Sequence, residues 1–142
     1  MTNYICRRII RSVNPPISDT ELAVLKVLWE LRSGTVSAVR ARFNEQHGRV
    51  LAYNTLLTFL RRLEQKGAVK VDKEREPYVY RPAHKEKSTI RDRVRRFVDT
   101  VFDGRADDLL LHLIEDTSIS EADLLRIQEK LKAARGRSGE RS

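Results

Sequence analysis

Within residues 18–82, three stretches with apolar residues three and four apart are followed by two stretches that alternate, and this order constrains the fold most. Ser18-Asp19-Thr20-Glu21 reads as a capping box, with Ser18 accepting from the third amide and Glu21 reaching back to the amide of Ser18. It opens a helix with Leu22, Leu25, Leu28 and Trp29 as its apolar positions, and Gly34 is expected to end it. After an extended Thr35-Val36, Ser37 is expected to cap a second short helix with Val39 and Phe43 inward, closing near His47-Gly48. The spacing predicts a third helix over 53–66, stopped by Gly67, with Leu56, Phe59, Leu60 and Leu63 in one stripe. Residues 68–73 and 77–82 alternate like strands, and Glu74-Arg75-Glu76 is short enough to join them as a hairpin.

The third helix has a polar side opposite its stripe. Asn54, Thr58, Arg61 and Gln65 lie there, flanked by Thr55 and Arg62, and Glu64 is the sole acid between residues 50 and 71. Amide, hydroxyl and guanidinium groups are those that read base edges in a major groove. A helix ending just before this one supplies the companion of a helix-turn-helix. Leu57, on the other flank, could meet a thymine methyl or close the edge of the core. The hairpin could then be a wing beside DNA, with Lys70, Lys73, Arg75 and Arg81 available for phosphates. Glu74 and Glu76 at its tip oppose tight phosphate contact. Alternatively, the hairpin covers the core with Val69, Val71, Tyr78 and Val79.

Beyond Pro82 the pattern is helical. Ile90, Val94, Phe97 and Val101 repeat at 4-3-4 spacing, a narrow seam along one helix face. Asp103-Gly104 breaks it. Residues 106–115 form a short helix, apolar around much of its circumference, with Leu109, Leu110, Leu111, Leu113 and Ile114. Ser120-Glu121-Ala122-Asp123 caps a last helix carrying Leu124, Leu125, Ile127 and Leu131, and the Arg/Gly/Ser-rich stretch from Arg135 is expected to be disordered. Three short helices cannot bury so many apolar groups among themselves. A second copy of the chain would cover them, and two copies would double the bases read. Folding back on the first module, or docking a different protein as an adaptor, are the alternatives. The domains expected are a flexible extension over 1–17, a DNA-binding domain over 18–82, a dimerisation region over 83–134 and a tail over 135–142.

Charge supports this division. The net charge is +8, with 15 Lys+Arg against 8 Asp+Glu over residues 1–82 and 13 against 12 over 83–142. The basic excess therefore sits in the first part and the second is nearly balanced, an asymmetry that suggests two jobs and suits a polyanionic partner for the first. Other functions find little to stand on. Cys6 is alone, so neither a disulfide within the chain nor a Cys-based metal cluster can form, which fits a reducing cytoplasm. His47, His84 and His112 lie in different elements without a ligand partner at helical spacing. There is no Gly-rich phosphate loop, no nucleophile elbow and no apolar run of membrane-spanning length. No catalytic residue, metal or cofactor is expected, and no stable membrane association.

Several of these segments resemble the BlaI/MecI penicillinase-repressor family. Ile17-Ser18 with Glu21, Val24 and Leu28-Trp29 is similar to its opening. The run Ala52-Tyr53-Asn54-Thr55-Leu56-Leu57-Thr58-Phe59-Leu60-Arg61-Arg62-Leu63 before Lys66-Gly67, the strand Tyr78-Val79-Tyr80-Arg81-Pro82 and the Leu109-Leu110-Leu111 helix continue it. The resemblance covers about residues 17–133. It implies a mainly α fold with a small β-hairpin wing, in which a winged helix-turn-helix is followed by a three-helix dimerisation region. It also implies a homodimeric transcriptional repressor on a dyad-symmetric double-stranded DNA operator, released when a membrane sensor metalloprotease detects β-lactam. Asn54, Thr55, Thr58, Arg61 and Arg62 would contact DNA. Members that are cleaved are cut at an Asn-Phe bond, and the equivalent place here reads His112-Leu113. The C-terminal Cys cluster of copper-responsive relatives is absent.

Overall fold

The computed structural model describes residues 16–116 and 118–141. Among them the chain forms α1 (Asp19–Leu31), α2 (Val36–His47), α3 (Tyr53–Gln65), β1 (Val69–Asp72), β2 (Val79–Pro82), α4 (Glu86–Val101), α5 (Ala106–Glu115) and α6 (Glu121–Arg141). This is the mainly helical architecture with a two-stranded wing that the apolar spacing predicts. Two compact units divide the chain, one ending at Arg96 and one beginning at Phe97.

In the first unit, Ser18 caps α1 by accepting from the amide of Glu21 at 3.1 Å. The other half of the expected capping box does not form. The Glu21 carboxylate is 3% exposed and turns inward to Lys66 Nζ, at 2.7 and 2.8 Å, because a buried carboxylate needs a paired cation more than a first-turn amide does. Helix α1 buries Val24, Leu25, Val27 and Leu28, while Leu22 and Trp29 are half-buried. It stops at Leu31, where Arg32 takes a positive φ of 71°. Gly34 is not the stop; its amide and carbonyl exchange hydrogen bonds with Tyr80 at 2.9 and 2.8 Å, adding a bridge to the hairpin.

Thr35, rather than Ser37, caps α2. Its backbone is extended and its hydroxyl accepts from the Ala38 amide at 3.2 Å, so the helix begins one residue before Ser37. The α2–α3 turn is held from α2: Arg40 Nε donates to Leu51 O at 2.7 Å, and Asn44 Oδ1 accepts from the Leu51 amide at 2.8 Å. Leu56, Leu60 and Leu63 of α3 are all 0% exposed, and Phe59 is half-buried against the same core. Gly67, at φ 78°, lets the chain leave α3 and enter β1.

The hairpin pairs Val69 with Pro82, Lys70 with Arg81, Val71 with Tyr80 and Asp72 with Val79. Its connection runs over 73–78, longer than the predicted 74–76. Asp72 Oδ1 accepts from the Glu74 amide at 3.0 Å and widens the turn, and Pro77 has no N–H for the ladder. Val69 and Tyr80 are the buried hairpin residues; Tyr78 is exposed. The first residues before α1 are also anchored. Pro16 O accepts from Lys66 at 2.9 Å and Ile17 packs on the core, so the expected flexible extension does not reach residue 17, and its remainder over 1–15 lies outside the described residues.

In the second unit, Asp103 and Gly104 both take positive φ, 52° and 83°, and separate α4 from α5 as the sequence predicts. The rings of Phe97, Phe102 and His112 meet edge to face, with centroids 5.8 and 5.2 Å apart in turn. Here the expected capping box is complete: Ser120 and Asp123 exchange amide-to-side-chain bonds, each of 3.1 Å. The bond from the Ser120 amide above all, with the Ser120 side chain second, holds the Asp123 carboxyl below its usual range. Helix α6 continues to Arg141, past Arg135 where disorder is expected; no proline interrupts it there. Val98 is the only buried residue of this unit among those whose burial is described.

Candidate nucleic-acid interface

Helix α3 separates two chemistries. Its leucine stripe seals the core, and the same rotation turns Asn54, Thr55, Thr58, Arg61 and Arg62 outward, all five exposed. Among the described residues neither Arg61 nor Arg62 has an ion-pair partner, so both guanidinium groups keep their donors for another molecule. Thr58 back-bonds to Asn54 O at 2.9 Å, which orients its hydroxyl along the helix. Leu57 is half-buried at the edge of the core and also lines the groove beside Arg61.

The wing cations fall into separate places. Lys73 and Arg61 line one groove of about 400 Å³ between α3 and the hairpin, together with Tyr53, Leu57, Tyr78 and Tyr80. Lys73 Nζ lies 3.9 Å from Glu64, an exposed pair that a phosphate can displace at little cost. Burial pushes the Tyr80 phenol up, and Glu64 acts the same way. Arg75 sits in the connection and pairs with Asp72 at 3.4 Å. Lys70 alternates to the opposite face of the hairpin and stands directly across from Arg81, both exposed. Like charges in register cost stability on their own, and an anion bound between them removes that cost. Tyr53 is the residue that sequence reasoning missed. Its spacing of four from Leu57 and eight from Arg61 places all three on one helix flank, a signal present in the sequence.

The apolar positions expected to dimerise are spread along three helices. Ile90 is half-buried, and Val94, Phe97 and Val101 are exposed on α4. Leu109 and Leu110 on α5 and Leu124 on α6 are half-buried, whereas Leu113, Ile127 and Leu131 are exposed. His112 and Leu113, the expected cleavage position, are exposed within the helical backbone of α5. Among the described residues no group of three His, Cys, Asp or Glu could hold a metal ion, and no helix is long and apolar enough to cross a membrane.

Residues 17–133 match the family model of the penicillinase repressors. The chain belongs to the penicillinase-repressor family. A penicillinase repressor of Bacillus licheniformis is 28% identical over 126 residues, which span 89% of this chain and 97% of that protein. The solution structure of the DNA-binding domain of the repressor BlaI is 36% identical, covers 51% of this chain and 85% of its own, and has a TM-score of 0.44. The monomeric form of Bacillus licheniformis BlaI in complex with the blaP half-operator is also 36% identical, covering 51% of this chain and 87% of that one, with a TM-score of 0.43. Membership of the penicillinase-repressor family agrees with the resemblance carried by residues 17–133.

Proposed function

We propose that this repressor is a homodimer that occupies a pseudo-palindromic DNA operator with one α3 in each half-site, so excluding RNA polymerase from the promoter. The observation that carries this reading is the exposed, acid-poor face of α3, whose Arg61 and Arg62 have no ion-pair partner among the described residues. Asn54, Thr55 and Thr58 complete a set of groups matched to base edges. Lys73 and Arg75, and Lys70 with Arg81, serve phosphates at the wing. The half-exposed seam of α4 and the uncovered leucines of α5 and α6 support self-association. They are equally suited to an adaptor that docks another protein, and light scattering separates the two: a stable dimer favours the repressor, a monomer the adaptor.

Arg61→Ala and Arg62→Ala test the reading face. Each is expected to weaken binding to a duplex selected by the wild-type chain by about 1–3 kcal/mol, roughly a 5- to 150-fold rise in Kd, without lowering Tm. Unchanged affinity in both variants would place the reading face elsewhere.

A further inference from the structure

The turn between α2 and α3 begins at Gly48, whose φ of 57° ends α2, and runs to Ala52. Among the large apolar side chains of the described residues, Val50 in this turn is the most exposed, at 83%. Its neighbour Leu51 is 7% exposed and belongs to the core. The contrast is imposed from α2. Asn44 Oδ1 accepts from the Leu51 amide at 2.8 Å, Asn44 Nδ2 donates to Leu51 O at 3.4 Å, and Arg40 Nε donates to the same carbonyl at 2.7 Å. An extended chain alternates sides, so with Leu51 pinned inward the residues flanking it turn outward. Ala52 is extended and exposed, as Val50 is exposed, and the two methyl-bearing side chains stand either side of the buried leucine.

Val50 adds nothing to the core, and it stands four residues before Asn54 and five before Thr55, the first of the groups proposed to read DNA. In a helix-turn-helix the N-terminal residues of the second helix meet the base edges. A turn directly ahead of that end lies at the same groove. Its charge suits the place. No Asp or Glu occurs from residue 46 to residue 63, so the acid-free stretch begins in the turn and continues through most of α3. Arg49, beside Val50, is exposed and has no ion-pair partner among the described residues. On the edges of base pairs in the major groove an apolar side chain finds one apolar counterpart, the C5 methyl of thymine.

We infer that Val50 is a base-contact residue, packing with Ala52 against the C5 methyl of a thymine that lies beside the bases read by Asn54 and Thr55. This rests on the proposed DNA-reading face of α3, and it adds to the hydrogen-bonding groups a contact that depends on a single methyl. The three bonds to Leu51 make that contact selective. A loose turn would follow the base inward when the methyl is missing, whereas a turn held at Leu51 leaves a gap, and a gap forfeits both the buried area and the dispersion contact.

Deoxyuridine in place of thymidine removes that methyl and nothing else, so the experiment uses the full chain and the duplex it selects from a random pool, with each thymine replaced by uracil in turn. For wild type, one thymine in the half-site is expected at which uracil raises Kd about fourfold, the worth of one buried methyl. Val50→Ala is expected to bind the unmodified duplex about fourfold more weakly, with Tm unchanged, and to lose nothing further when uracil stands at that thymine. Val50→Ile keeps a branched apolar side chain and is expected to retain the wild-type sensitivity. The inference is overturned if Val50→Ala responds to uracil at every position as wild type does, or if the selected half-site contains no thymine. If wild type selects no duplex at all, the proposed function fails and takes this inference with it, a result distinct from those two.

Discussion

Helix α3 places Leu56, Leu60 and Leu63 at 0% exposure, whereas Val94, Phe97 and Val101 of α4 are 50, 48 and 55% exposed. Both helices carry apolar residues at spacings of three and four. The first module closes around its stripe with α1, α2 and the hairpin, each element covering another. The α4 seam, with the leucines of α5 and α6, stays largely open. A fully buried side chain of this size contributes about 1.5–3 kcal/mol, so the exposed seam represents stabilisation that the single chain does not collect. Periodicity identifies which residues are made for burial, while the partner surface belongs to the tertiary, or quaternary, structure.

The largest effect expected from breaking this contrast is on the closed side. Leu60→Ala opens a cavity in the closed core, which can relax only in part, and a loss of about 2–5 kcal/mol in denaturant unfolding is expected. A value below about 1 kcal/mol would mean that the first core is looser than its burial implies. On the open side, Phe97→Asp is expected to raise the dimer dissociation constant at least about tenfold, read by sedimentation, while the first unit keeps its Tm. Loss of the first unit's cooperative unfolding instead would show the seam to be core and not interface.

The smallest expected effect is on the cap of α6. The Asp123 carboxyl is held below its ordinary 3.8 by hydrogen bonds in the folded chain. Its stabilising contribution is thus fully present above that value and lost as pH falls through the lowered folded one. Chemical shifts of residues 120–124 are expected to move toward coil only in that acid window, and Asp123→Asn should abolish the pH dependence. A transition near neutrality would exclude this carboxylate as its source.

Much of the fold was legible because local chemistry and tertiary structure agree. The Leu56-Leu60-Leu63 stripe, Gly67 and the Ser120–Asp123 cap all appear where residue type demands. The misreadings arise where a distant residue competes. Glu21 looked like a capping partner until Lys66, 45 residues away, drew it inward. Gly34 looked like a helix stop and instead pairs with Tyr80, whose ring enters the core in place of Tyr78. The face of α3 was readable from helical angle alone. The division of wing cations, with Lys73 beside Arg61 and Lys70 on the other side, depends on register and could not be read before the pairing of Lys70 with Arg81 was known.

The grip of Arg40 and Asn44 on Leu51 carries an evolutionary implication. Ala52 offers no side-chain cap, so the turn that leads into α3 is held by α2, while the leucine stripe fixes the helix against the core. Drift at Arg40 or Asn44 would loosen that turn and so move the whole face proposed to read DNA at once, and a lineage could thereby shift its sequence preference with Asn54, Thr55, Thr58, Arg61 and Arg62 unchanged.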